Sequence, residues 1–249
     1  MNISHWLWLL LTAVSANSLA NTLVNVNDGQ KQLQLQYQES PRLEQVLSDT
    51  LTHSHNHLLT RAPAYAYLYQ TDSNQAQQNK QLLLNRLQQL SSISESLQGS
   101  VEVLHTQLLS WQVGDRKLLP LDYDLVRIEP DYNPKLTGQY QLLLPQRPTT
   151  IQVEGLVFEP QSVRFAPGHT ARDYLRQVKP LSSADNSHVW AIYPDGSVTK
   201  LGYAYWNHQQ VALPPGTVLF LGFANPSAEI MDLEQALLDL IKVRKPALL

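Results

Sequence analysis

The stretch His188–Phe223, HVWAIYPDGSVTKLGYAYWNHQQVALPPGTVLFLGF, decides how the chain is read. Val189-Trp190-Ala191-Ile192-Tyr193 is a β-branched and aromatic run that ends in Pro194-Asp195-Gly196, and Ser197–Leu201 then sets off again. Proline presets the first dihedral of a turn and glycine supplies positive φ, so two strands joined through Pro-Asp-Gly predict a hairpin. Downstream, Leu213-Pro214-Pro215-Gly216 marks another turn before the apolar run Thr217–Leu221. Upstream, His169–Arg176 predicts a short helix with Thr170 as its N-cap. The sum is a small α+β module in which one helix crosses a mixed sheet.

The same plan opens the chain. Leu23–Tyr37 predicts two strands around Asn27-Asp28-Gly29, with Leu33, Leu35 and Tyr37 alternating against glutamines. Ser40-Pro41 then predicts a helix start, Ser40 as cap and Pro41 at the first helical position, with Leu43, Val46, Leu47 and Leu51 on one face. Pro63–Tyr69 alternates tyrosines with small residues and suits a half-buried strand. From Asp72 to Gln98 runs a long apolar stripe (Leu83, Leu87, Leu90, Leu97), breakable at Ser91-Ser92 and ended by Gly99, which reads as a helical insertion at about 72–99. Val101–Leu104 and Leu108–Val113 are expected to return to strand, Gly114-Asp115-Arg116 to turn, and Tyr140–Leu144 to be strand. Two prolines in Pro145-Gln146-Arg147-Pro148 mark the domain boundary. The expected division is 21–147 for a first β-grasp domain, 148–224 for a second, and 225–249 for a C-terminal amphipathic helix and tail.

The order of motifs is similar to that of the soluble-ligand-binding β-grasp (SLBB) modules of polysaccharide-export proteins. The fuller pattern resembles the capsule-biosynthesis family called GfcC and its relatives in O-antigen capsule operons. The residues that carry it are Gly114-Asp115-Arg116, Leu121–Arg127, Asn133–Gly138, Tyr193-Pro194-Asp195-Gly196, Tyr205-Trp206-Asn207 and Leu213-Pro214-Pro215-Gly216. The resemblance implies two β-grasp domains, a helical insertion in the first, and a role with surface polysaccharide or its export and assembly proteins.

Composition narrows the classes. The charged fraction is 16% and the net charge −3, which gives no electrostatic footprint for nucleic acid. Cysteine is absent, which removes disulfides, thiol catalysis and Cys-based metal sites. Residues 1–20 read as a secretory signal peptide, with the apolar core Trp6–Leu11 and small residues at Ser18 and Ala20, so a cut is expected after Ala20. A retained anchor is the rival, but the apolar run falls short of the ~20 residues a span needs. No Cys stands at the cut, no later segment could span a membrane, and the expected compartment is the periplasm or beyond.

Three groups of residues invite chemistry. His53-Ser54-His55-Asn56-His57 would place three imidazoles on one face of a strand, yet interleaved Ser and Asn and no nearby carboxylate favour a polar loop after a helix end, and no metal or cofactor is expected. Arg116, Asp122, Asp124 and Arg127 form either a polar ligand pocket built on guanidinium donors or an ion-pair network that fixes turns. Asp122-x-Asp124 resembles a nucleotide-sugar transferase pair only superficially, since no nucleotide-binding unit accompanies it. Tyr205, Trp206 and Asn207 suit a sugar-stacking platform, or else one ring caps the core and the other supports the loop. The last helix is expected to start at Asn225-Pro226, and its charge order complements the macrodipole. Its stripe of Ile230, Leu233, Leu237, Leu240 and Ile241 packs either on the protein's own sheet or as an interface toward a partner, a second copy or a membrane surface.

No Walker loop, nucleophile elbow, G-x-G-x-x-G or H-E-x-x-H is present. The leading expectation is a non-catalytic accessory protein for assembly or export of a capsular or O-antigen-type polysaccharide. An adaptor that docks through the last helix without touching sugar is the alternative, and a carbohydrate-active enzyme of unrecognised type comes third.

Overall fold

The structure, a computed structural model, describes residues 22–54, 58–93 and 95–246. The expected signal peptide and the histidines His55 and His57 lie outside the described residues. Two five-stranded sheets follow one another in the chain. The first is built from β1 (Thr22–Asn27), β2 (Gln32–Tyr37), β3 (Tyr67–Gln70), β4 (Asp115–Lys117) and β5 (Gln139–Leu143) in the order β2-β1-β5-β3-β4. The second uses β6 (Thr150–Gly155), β7 (Gln161–Arg164), β8 (His188–Ile192), β9 (Val198–Gly202) and β10 (Val218–Leu221) in the order β7-β6-β10-β8-β9. Relabelled within each module, the two orders are the same.

In both modules the first and last strands pair in parallel at the centre, Val24 opposite Tyr140 and Leu219 opposite Val153, and all other pairs are antiparallel. A helix follows the opening hairpin in each: α1 (Leu43–His53), trailed by the short α2 (Leu58–Arg61), in the first module, and α6 (Ala171–Leu175) in the second. This is the β-grasp topology used twice. The Pro-Asp-Gly hairpin forms as expected, with Gly196 at φ 92°, a conformation that a Cβ would strain, and Asp195 accepting from Ser197 N at 2.9 Å.

The modules differ at one junction. Where β8 and β9 meet in a tight turn, β3 and β4 are separated by two helices, α3 (Gln75–Ile93) and α4 (Gln98–Ser110). The expected strands at Val101–Leu104 and Leu108–Ser110 are therefore helix, and Gly99 sits inside α4 instead of ending α3. Val101, Leu104 and Leu108 recur at helical spacing and are buried, which wins over the local alternation of Val101 and Val103. Their burial is not against the first sheet. Leu83, Leu87, Val101, Leu104, Leu108 and Trp111 belong to one core with Ile151, Val189, Leu219 and the C-terminal helix α7 (Ala228–Lys242). The insertion thus leaves the first module and roofs the second, while the first sheet packs its own core on α1 and on α5 (Tyr123–Ile128).

Caps correct several other expectations. Ser40 does not cap α1: the cap position is Arg42, and Ser40 Oγ instead meets Thr137 Oγ1 at 2.8 Å. The last helix is capped by Ser227, whose oxygen accepts from Ile230 N, while Asn225 takes a φ of 47° in the preceding turn. Arg116 lies on strand β4, not in a turn. Thr170 does cap α6, in a reciprocal box with Asp173.

The interface reading of α7 is overturned by burial. Ile230, Leu233, Leu237, Leu240 and Ile241 are all 6% exposed or less, because the stripe is part of the core shared with the second sheet, α3 and α4. The helix is locked further by Glu234, whose carboxylate accepts from Trp190 Nε1 and, at 3.1 Å, from Phe223 N.

The insertion is fastened at its start by a carboxylate from another element. Asp115 accepts from Gln75 N at 2.9 Å and Ala76 N at 2.5 Å, capping α3 from across the sheet. Burial pushes its pKa up, but the Ser73 hydroxyl and these two N–H donors outweigh that, leaving it below the usual aspartate value. A folded-state pKa below the unfolded one gives stability that is complete above about pH 4 and lost as pH falls through the folded value. Urea titrations at pH 6 and pH 2.5 should therefore show a smaller acid-induced loss in Asp115→Asn than in the wild type, because the variant has no proton to take up there.

Candidate functional site

A cleft of about 780 Å³ opens where the two modules, the insertion and the C-terminal tail converge. Strands β3 and β4 supply Tyr67 and Arg116, the end of α4 supplies Trp111, the linker supplies Arg147, and the second sheet supplies Glu154 and Tyr193. The tail after α7 closes one side with Arg244 and Lys245.

The chain after α7 is what fixes these walls. It zips onto the segment after α4, Gly114 N donating to Val243 O at 3.1 Å and Lys245 N to Gln112 O at 2.8 Å. Gly114 leaves the needed room, since a Cβ there would sit 2.7 Å from Lys245 Cε and 2.9 Å from the Tyr69 ring. Arg244 reaches the second sheet through two bonds to Glu154, at 2.8 and 3.0 Å, and its guanidinium lies 4.9 Å from the Trp111 ring centre. Tyr69 OH donates to Arg244 O at 2.5 Å, which ties the same residue to the first sheet. Gln107 completes the contact of insertion and second sheet by bonding both Gly155 N and Gly155 O.

Arg116 spans the junction. Its Nη1 donates to Lys242 O at 3.0 Å, its Nη2 to Pro194 O at 2.7 Å, and its guanidinium stacks 4.3 Å from the Tyr67 ring centre. Its Nε is enclosed and has no hydrogen-bond partner among the described residues. Burial pushes the Arg116 pKa down, with Tyr69, Tyr67 and Asp195 opposing, but an arginine keeps its charge in such surroundings. Burial also raises the Tyr67 and Tyr69 pKa values, so both phenols stay neutral hydrogen-bonding groups.

The cleft concentrates positive charge on a chain whose net charge is −3. Among the described residues, Arg116, Arg147, Lys242, Arg244 and Lys245 line it against one carboxylate, Glu154, which is engaged by Arg244. Lys242 is paired with Asp239 at 2.7 Å, whereas Arg147 and Lys245 have no carboxylate partner among the described residues. Cations without a carboxylate partner, each near a tyrosine ring (Arg147 by Tyr65, Lys245 by Tyr69), suit a hydroxyl-rich ligand that bears acidic groups. Among the described residues no group of His, Asp or Glu is arranged to hold a metal, and His53 spends its Nδ1 on Asp49 O at 2.7 Å.

The residues singled out from the sequence are not brought together. Arg116 lines the cleft, but Asp122, Asp124 and Arg127 do not. Asp122 caps α5 by accepting from Asp124 N and Leu125 N, and Asp124 and Arg127 form an exposed pair at 3.7 Å. Among the described residues these three form neither the expected pocket nor an ion-pair network between strands, but a helix cap and one exposed pair on the same helix. Tyr205 and Trp206 lie outside the cleft as well; neither caps the core, being 84% and 74% exposed, and Asn207 anchors their loop. Sequence reasoning missed Trp111, Arg147, Glu154, Tyr193 and Arg244. The signal available for one of them was an arginine between two prolines in the segment that joins the modules.

Comparison with known proteins agrees with this architecture. Residues 20–147 match the family described as capsule biosynthesis GfcC, N-terminal, and residues 159–246 match capsule biosynthesis GfcC C-terminal. The chain is also 35% identical over 151 residues to the uncharacterized protein YjbG of Escherichia coli (strain K12), a match that covers 60% of this chain and 62% of that relative. With the two family regions falling on the two β-grasp modules, the chain belongs to the capsule biosynthesis GfcC family.

Proposed function

We propose that the protein is a periplasmic accessory in the assembly or export of a capsular or O-antigen-type surface polysaccharide, and that it holds a stretch of that polymer in the inter-module cleft without turnover. The observation that carries this is the lining of the cleft: Arg147 and Lys245, two cations with no carboxylate partner among the described residues, beside the half-buried ring of Tyr193. Guanidinium and ammonium groups take the acidic substituents of such a polymer, and the half-buried Tyr193 ring offers an apolar face to the C–H side of a pyranose. The signal peptide read from residues 1–20 supplies the compartment, and family membership supplies the connection to capsule.

Calorimetric titration with acidic oligosaccharides released from the organism's own surface polymer tests this. Binding is expected to be saturable, to weaken with added salt, and to fall by about tenfold or more in Arg147→Glu, which reverses an exposed charge at the cleft. Equal affinity in Arg147→Glu and the wild type would rule out the cleft as the site.

A further inference from the structure

The connection from β9 to β10 starts at the end of the second module that faces away from the cleft. His188 pairs with Gly202 at that end, whereas the opposite end of β8 delivers Ile192, Tyr193 and Pro194 to the cleft. Tyr205 and Trp206 stand in this connection and are the two most exposed large apolar side chains among the described residues. Burying rings of this size would be favourable, so two adjacent exposed ones need a reason.

The reason is that the loop is built to hold them out. Ala204 is buried and Asn207 turns inward, its Nδ2 donating to Ser187 O at 3.1 Å and lying 3.2 Å from His188 Nε2. Tyr203 N donates to Ser187 O at 2.9 Å, Tyr203 OH to Asp185 O at 2.7 Å, and Gln209 N to Gly202 O at 3.1 Å. A Cβ on Gly202 would lie 2.2 Å from Asn207 O, so the loop is drawn tightly onto the strand. A loop pinned on both sides of two rings cannot fold them back. Arg172 on α6 approaches the Tyr205 ring to 5.6 Å.

The surroundings select the occupant. Beyond the inward-turned Asn207 come His208, Gln209 and Gln210, an imidazole and two amides that form hydrogen bonds, with His208 Nε2 and Gln210 Nε2 2.8 Å apart. Residues 202–210 expose no aliphatic side chain, which a membrane-inserting or core-forming protein contact would use. Two rings are also small against the roughly 800 Å² that each partner gives to a stable protein interface. A sugar ring matches: its C–H face covers an aromatic ring while its hydroxyl edge meets amides and imidazole.

We propose that Tyr205 and Trp206 form a second saccharide subsite, remote from the cleft, which stacks a pyranose ring and bonds its hydroxyls through the side chains of residues 208–210. A chain carrying both sites would grip one polymer at two places along its length. This subsite stands on the loop alone and survives if the cleft proves empty.

The test is an NMR titration that follows the indole N–H of Trp206, assigned by its loss in Trp206→Ala. The probes are cellotetraose, hyaluronan tetrasaccharide, and vesicles of phosphatidylcholine with and without phosphatidylglycerol. The expected result is a saturable shift of the Trp206 signal with one or both sugars. Trp206→Ala should weaken the loop response, read at Gln209 and Gln210 amides, by about tenfold, with Trp206→Phe between the two. The Arg147→Glu variant should leave that response unchanged. Thermal stability should be the same in all three, since Trp206 and Arg147 are exposed. An unmoved Trp206 signal with both sugars, a response to vesicles alone, or concentration-dependent self-association abolished by Trp206→Ala would each overturn the proposal.

Discussion

Leu237→Asp is expected to unfold the second module instead of merely uncoupling a partner. Leu237 is 0% exposed and stands among Leu233, Leu238, Ile241 and the side chains of the second sheet and insertion. Removing a buried leucine to alanine size costs about 2–5 kcal/mol, and a carboxylate at the same place adds the cost of an unpaired buried charge. The total is about 5 kcal/mol or more, comparable to the whole stability of an ordinary domain. Met231→Asp on the same helix is the control: Met231 is 57% exposed, so its change should stay within about 0.5 kcal/mol. Urea unfolding followed by far-ultraviolet circular dichroism separates the two. A Leu237→Asp protein with wild-type stability and a lost partner would return α7 to the role of an interface helix.

The second large effect is expected at Arg244. Arg244→Ala leaves Glu154, whose side chain is 10% exposed, without its cation, and it removes the guanidinium from the Trp111 ring. Breaking one side of such a buried pair costs about 3–5 kcal/mol, most of it from the carboxylate left behind. Because the pair is shielded, the loss should be nearly independent of salt. The double variant Glu154→Gln with Arg244→Met should recover much of the stability, since a neutral pair has no stranded charge. A double variant less stable than Arg244→Ala would show that the ion pair contributes more than the avoidance of a buried charge. Either single change should also loosen the cleft, because Arg244 holds the tail that forms one wall.

How far the sequence could be read depended on whether the deciding contacts were local. The Pro-Asp-Gly hairpin, the Asn27-Asp28-Gly29 turn and the Thr170 cap are set by neighbouring residues, and all three formed as expected. Two copies of a hairpin–helix–hairpin plan were therefore legible, and with them the fold class. The helix at Gln98–Ser110 was not, because Gly99 looks like a stop and Val101-Glu102-Val103 looks like a strand. Its helical face becomes evident only against a surface that lies in the other module.

Sites were harder for the same reason. Closeness in sequence groups Arg116 with Asp122, Asp124 and Arg127, but its hydrogen-bond partners are 78 and 126 residues away. Glu154 and Arg244 stand 90 residues apart, and no local pattern announces their pairing. The apolar stripe of α7 was fully visible as a stripe. Which surface it covers is a tertiary fact, and here it is the protein's own core.

The most direct test of the cleft as a polysaccharide site is an NMR titration of the purified protein with acidic oligosaccharide, read at the indole N–H of Trp111, which lines the cleft and is 6% exposed. The expected result is a saturable shift of that signal, shared by residues around Arg147 and Lys245 and lost in the Arg147→Glu, Lys245→Glu double variant. A folded protein whose Trp111 signal stays fixed through the whole titration would contradict it.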